Sequence, residues 1–205
     1  MTRICFLEKG FSFVTGTEDF LVLELKMNWN LSDRETMFDS LPKGGIGAEM
    51  GVDWGEFSKR IIQLAQPKMM YLIDCWEQQP VEVYGHDPAN SHQDVKYKQC
   101  LTWFTTNERV KLVKAYSLDA CEAFPDGYFD WFYIDANHLQ CAADMAAWWP
   151  KIKSGGWFMG HDYVQGGVGD YITVQKDVDA FVEKYNLPLL LTEDEIYKNW
   201  IIRKP

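Results

Sequence analysis

Histidine and carboxylate fall close together twice in this chain, in Asp135-Ala-Asn-His138 and in His161-Asp162. Each grouping suits one of two tasks. A histidine near neutral pKa takes a proton from a hydroxyl, or a divalent cation stabilises the resulting alkoxide. A strand end aimed into a crevice favours His161 as the base, with Asp162 beside it, and His138 is the alternative. A third grouping is of another kind. In Ile46-Gly-Ala-Glu-Met-Gly-Val-Asp-Trp-Gly55 the carboxylate of Glu49 precedes two glycines four apart, Gly51 and Gly55. Glycine lets the backbone turn sharply and lets a ligand approach. A carboxylate at that point suits a cationic amino group better than a pyrophosphate.

These groups need elements to position them. Ile46 to Met50 is a short apolar strand, and the helix that follows carries Phe57, Ile61, Ile62 and Ala65 on one stripe, which leaves N–H groups at its start for a ligand. The next apolar run ends in Asp74, 23 residues after Gly51, where an acidic residue commonly holds ribose hydroxyls. Gly45, Gly47 and Gly51 have dinucleotide-type spacing, but residues 35–42 ahead of them read as a helix broken by Pro42. With no strand to follow, a nicotinamide-dependent oxidoreductase is disfavoured.

Strand and helix signals then alternate. A polar, aromatic loop over 76–90 looks built to close over something. After it come a helix over 91–104, a strand over 110–113, a helix capped by Ser117 and a strand over 129–135. A helix over 139–149, a turn over 153–156, a strand over 157–161 and a glycine-rich loop over 165–169 follow. A helix striped by Val174, Val178, Phe181, Val182 and Tyr185 leads to a closing antiparallel hairpin, 187–191 with 200–203. This order predicts an α/β fold with a mostly parallel sheet covered on both faces. Residues 1–30, with a short apolar run at 20–25, read as an N-terminal extension, and 31–205 as a single domain that opens with a helix over 33–41, capped by Ser32.

A chain of 205 residues with 47% apolar and 24% charged side chains supports one ordinary core. Its net charge of −10 argues against a nucleic-acid partner. No apolar run reaches the length of a membrane span. Five scattered cysteines without CxxC spacing indicate reduced thiols and a cytoplasmic compartment. A small-molecule partner is the remaining class, and homo-oligomerisation is left open.

Set beside the first motif, Asp130-Trp-Phe-Tyr-Ile-Asp135-Ala-Asn-His138 and Ser154-Gly-Gly-Trp-Phe-Met-Gly-His-Asp-Tyr163 complete a pattern. From about Arg34 to Pro205 the chain resembles the small class I S-adenosylmethionine-dependent methyltransferases of the macrocin O-methyltransferase group, which act on sugars and natural products. The resemblance implies a Rossmann-like seven-stranded sheet with an antiparallel last strand, and S-adenosylmethionine lying across the first and fourth strand ends. It places Gly51 and Gly55 at the methionine part, Asp74 at the ribose and Ser117 near the adenine. Glu49, Asp53 and Asp135 lie on the same strand ends or the loops after them, and Trp54 and Trp76 are flanking aromatics that either cover the cofactor or pack in the core. Relatives hold magnesium with carboxylates at positions matching Asp135, His161 and Asp162. Here a histidine replaces the middle carboxylate, so magnesium, softer manganese or no metal all stay open. The expected activity is O-methylation of a small-molecule hydroxyl, plausibly on a carbohydrate; a catalytically inactive cofactor-binding subunit is the alternative.

Overall fold

The computed structural model describes residues 5–7, 11–13, 29–80, 90–164, 172–193 and 196–205. The apolar run at 20–25, the glycine-rich loop at 165–169 and most of the 76–90 loop lie outside these residues. Near the N-terminus, β1 (Cys5–Leu7) and β2 (Phe11–Phe13) pair antiparallel.

From there the elements are α1 (Arg34–Asp39), β3 (Ile46–Met50), α2 (Glu56–Ala65), β4 (Met69–Asp74), α3 (Gln93–Phe104) and β5 (Val110–Lys114). The second half contributes α4 (Ser117–Cys121), β6 (Phe129–Ile134), α5 (Cys141–Trp148), β7 (Ile152–Tyr163), α6 (Val174–Tyr185), β8 (Leu189–Leu191) and β9 (Lys198–Arg203). The seven-stranded sheet runs β5-β4-β3-β6-β7-β9-β8. Every pair among β3 to β7 is parallel, and β9 is antiparallel to both neighbours. The expected Rossmann-like architecture is what forms.

Alternation along β6 shows why both faces are covered. Phe132 and Ile134 enter one buried cluster with Met145, Trp148, Phe158 and Val178. Trp131 and Tyr133 enter the other with Phe38, Ile61, Cys100 and Ile201. Successive strand side chains point to opposite faces, so a nearly continuous apolar run is what a strand buried on two sides requires. Tyr133 keeps its polar end satisfied by donating to Asn199 Oδ1 at 2.7 Å.

Sheet order sets where a ligand fits. The chain moves outward from β3 through β4 to β5, then returns to place β6 on the other side of β3. At such a reversal the connections leave in opposite directions and open a crevice beyond the carboxyl ends of the strands.

Local details depart from the sequence reading. Asp33, not Ser32, caps α1: its Oδ1 accepts Thr36 N–H at 2.7 Å, and Thr36 Oγ1 accepts Asp33 N–H at 3.0 Å. The closed capping box leaves no role for a cap one residue earlier. Ser117 does not cap α4 either, where Tyr116 takes that position without a side-chain bond. Residues 153–156 belong to an irregular stretch inside β7, whose register against β6 shifts between Phe129/Ile152 and Trp131/Trp157. Tyr185 ends the α6 stripe 42% exposed.

Candidate active site

Strand β3 delivers Glu49 and Met50 to the crevice and the chain turns at Gly51, whose φ is 92°. A Cβ there would stand 1.8 Å from the carbonyl oxygen of Asp135. A Cβ at Gly55, with φ 77°, would meet Phe104 at 2.8 Å and Cys100 at 3.0 Å. The glycines therefore admit the chain's own neighbours: Gly51 lets β3 and β6 end side by side, and Gly55 lets α2 start against α3. Gly51 also borders the cleft; Gly55 does not.

The cleft has a volume of about 430 Å³, in the range of a small-molecule site. Glu49, Asp53, Trp54, Asp74, Ser117, Asp135, His138 and Asp162 all border it. Glu49 is 2% exposed, and its one hydrogen bond among the described residues is a very short one from Ser58 Oγ. Burial pushes its carboxyl up to about 8, with Ser58 opposing and Asp135 adding to the rise. A neutral acid in an apolar floor regains its charge when a cation arrives beside it.

Asp74 serves the turn before it serves any ligand. Its Oδ2 accepts the N–H groups of Val52 and Asp53 at 2.9 and 3.0 Å, and its Oδ1 accepts that of Trp76 at 2.8 Å. A carboxylate has about four acceptor positions, so capacity for one further donor is left. Asp53, with φ 52°, pairs closely with Lys96, which is buried to 1% in the core. Trp54 borders the cleft, and its carbonyl accepts Gln99 Nε2 at 3.0 Å.

Trp76 does not cover the cleft. It is 1% exposed, its indole N–H donates to the Asp53 carbonyl at 3.1 Å, and its ring lies 4.9 Å from that of Tyr97. Apolar area and a carbonyl partner draw it under the turn.

At the β5 side of the cleft, Ser117 Oγ donates to Asp144 Oδ1 and accepts the indole N–H of Trp148 at 2.9 Å. At the other side, β6 and β7 bring four titratable groups together. His138 Nε2 lies 2.7 Å from Asp162 Oδ2, His161 Nδ1 lies 3.2 Å from Asp162 Oδ1, and the same Nδ1 lies 3.7 Å from Asp135 Oδ1. Burial would raise Asp162, but its bonds to His138 and His161 hold it well below the usual carboxylate range. Burial also opposes the charge on His161, yet the Asp162 bond and the charge of Asp135 lift its pKa. Asp135 is raised by burial, with His161 pulling the other way.

At the end of β7, Asp162, with φ 55°, borders both the cleft and a small recess beside it, while His161 borders only the recess, with Cys141, Val174 and Trp200, and meets Asp162 there. The expectation that His161 faces the crevice is not met, and His138 from the β6 loop takes that place. One ligand atom from each of Asp135, His161 and Asp162 lies within 4.8 Å of the others. One imidazole and two carboxylates at this spacing are the residues that could hold a divalent cation.

Sequence reasoning missed three residues. Arg34, at the start of α1, stands 3.5 Å from Asp135 Oδ2 and 3.7 Å over the Phe57 ring. Nothing local signals a partner 101 residues away. Asp144 and Lys96 could have been found, because each falls on the buried stripe of its helix, with Cys141, Met145 and Trp148 or with Cys100 and Phe104. A charged residue on an apolar stripe needs an internal partner.

A crevice at the reversal of a parallel sheet, floored by a buried acid and a glycine turn, is where an open α/β protein receives its ligand. A family profile described as "Methyltransferase domain" matches residues 48–163, more than half of the chain. The chain belongs to that family, and its fold is that of the class I S-adenosylmethionine-dependent methyltransferases. No curated protein sequence matches it significantly. Among solved structures, a protein from Corynebacterium glutamicum shares 13% identity at a TM-score of 0.58, covering 93% of this chain and 92% of its own. An O-methyltransferase family protein from Burkholderia thailandensis shares 10% identity at a TM-score of 0.60, over 83% of this chain and 55% of that one. Fibrillarin from Aeropyrum pernix, solved with natively bound S-adenosyl-L-methionine, shares 10% identity at a TM-score of 0.55, over 78% and 66%.

Proposed function

We propose that this methyltransferase moves the methyl group of S-adenosylmethionine to a hydroxyl of a small molecule, a sugar or glycosylated metabolite, with His138 as the base. The observation that carries the reading is the 2.7 Å contact of His138 Nε2 with Asp162 Oδ2 at the edge of the cleft. Asp162, 9% exposed and held on its other oxygen by His161, orients the imidazole and stabilises its protonated form.

The donor's sulfonium supplies a methyl group that leaves as its charge is neutralised, so the protein's part is positioning more than acid catalysis. Glu49 holds the donor's ammonium, Gly51 keeps the floor low, and the remaining acceptor position of Asp74 takes a ribose hydroxyl. His138 removes the acceptor's proton. Resemblance to the macrocin group supports a carbohydrate acceptor.

The test is a screen of polyols and phenols with isotopically labelled donor, read by mass spectrometry. Wild type gains label on one acceptor class. His138→Ala binds S-adenosylhomocysteine nearly as well but loses at least about a hundredfold in turnover; unchanged turnover removes His138 from the chemistry.

A second reading has one observation behind it, the 4.8 Å grouping of Asp135, His161 and Asp162. There a divalent cation supplies charge for the developing alkoxide. Turnover would then vanish with chelator and return with manganese or magnesium, and His161→Ala would abolish that response. Full activity in chelator eliminates the metal.

A further inference from the structure

Arg34 stands where its charge is unwelcome. It opens α1, and the backbone N–H groups at that end of a helix disfavour a cation. Its place is nevertheless fixed. Asp33 and Thr36 close the turn around it, two N–H groups of Arg60 donate to the Glu35 carboxylate, and Phe38 packs edge-on against Phe57. These contacts dock α1 on α2 and deliver the guanidinium to one spot, 3.7 Å from the centre of the Phe57 ring and 3.5 Å from Asp135 Oδ2. The other oxygen of Asp135 faces His161 Nδ1 at 3.7 Å. The carboxylate thus stands between an arginine and a histidine. The charge of Arg34 also reaches Glu49, Tyr133 and His161.

We propose that Arg34 is the resident cation of the acid cluster: it balances the Asp135 carboxylate from within the chain and weakens the hold of Asp135, His161 and Asp162 on a divalent ion, so that transfer runs without one. This deepens the histidine-base reading above and rests on it for the chemistry at the acceptor. A fixed positive charge beside a would-be ligand repels an arriving cation, and the repulsion grows as water is withdrawn. The side chains of Arg34 and Asp135 are 28% and 25% exposed, so salt screens the pair only in part. Arginine suits the post, because its guanidinium keeps its proton at any working pH and stacks on a ring, here that of Phe57. Arg34 is not among the residues that border the cleft. It is a positioning residue, acting through Asp135.

Calorimetric titration of the chelator-treated full chain with manganese chloride tests the proposal without any turnover. Arg34→Met, which keeps a long side chain beside Phe57 but removes the charge, should bind manganese about tenfold or more tightly than wild type. Arg34→Gln gives the same comparison should the methionine variant fold poorly. The gain should vanish in Arg34→Met/His161→Ala, which locates it at the cluster. A purely structural role would loosen the cluster and weaken manganese binding instead. Equal or weaker binding by the charge-free variants overturns the proposal, and so does a gain that survives the loss of His161. Wild-type binding at about 1 μM or tighter, lost in His161→Ala, overturns it with no Arg34 variant having to fold. Full turnover in His138→Ala would remove the base reading yet leave a difference in manganese affinity standing, so the two failures are told apart.

Discussion

A carboxyl that is 2% exposed and meets one hydroxyl keeps its proton to a pKa of about 8, against an ordinary value of 4.5. The folded chain thus binds more protons at Glu49 than the unfolded chain between those values. The associated stability is complete below the ordinary pKa and drains away as pH rises through the folded one. Ligand-free protein should lose stability as pH rises between about 5 and 8, by up to roughly 1.4 kcal/mol per pH unit, read as a falling melting temperature, with no further loss from this group above that range. Glu49→Gln should flatten this slope and weaken S-adenosylhomocysteine binding by roughly tenfold; an unchanged slope would place the titration elsewhere. Gly51 makes a different demand. Gly51→Ala puts a methyl group 1.8 Å from a backbone oxygen at φ 92°, and backbone does not yield as a side chain does. Urea unfolding should show a loss of roughly 3 kcal/mol or more. Gly127→Ala, with φ 64° but nothing within 4 Å, should cost only about 1 kcal/mol.

Helix α1 links stability to the active site, since its capped first turn carries Arg34 to Asp135. Asp33→Ala should cost about 1 kcal/mol in urea unfolding, with a weaker grip on the Asp135 side of the cleft. Most elements were legible in the sequence because period and punctuation agree: alternation sets β6, glycine and apolar runs set β3 and its turn, and the stripe of α6 is nearly complete. Glu49, Asp53, Trp54, Asp74, Asp135 and His138 could be placed at strand ends for the same reason. What failed was facing. Trp76 reads as a lid because it follows a strand end, yet its ring finds a carbonyl beneath the turn. His161 and Asp162 are adjacent, but the chain leaves extended backbone at Asp162, with φ 55°, where the register of β7 against β9 shifts, and of the two only Asp162 reaches the cleft. Residues 153–156 carry turn-forming glycines but lie within β7 as the irregular stretch between two points, Ile152 and Trp157, that pair with β6.

The two buried layers meet at the sheet, and the cleft opens beyond the carboxyl ends of β3 and β6, where the chain segments that follow them diverge. A ligand there touches side chains anchored in both layers, so it should stabilise the molecule as one cooperative unit. At 100 times its dissociation constant, S-adenosylhomocysteine should add about 2.7 kcal/mol to unfolding while keeping a single transition. Two separated transitions would mean that the layers open independently. Among the described residues no helix is long and apolar enough to cross a membrane.

Lys96, tucked beneath the glycine turn and joined to Asp53, offers a natural stopwatch. An acylating reagent needs an amine that solvent can reach, so this lysine should react only in the moments when helix and turn separate. Peptide mass spectrometry of its labelling would time that breathing directly, and the methyl donor's product should slow the clock while exposed lysines such as Lys98 react at an unaltered pace.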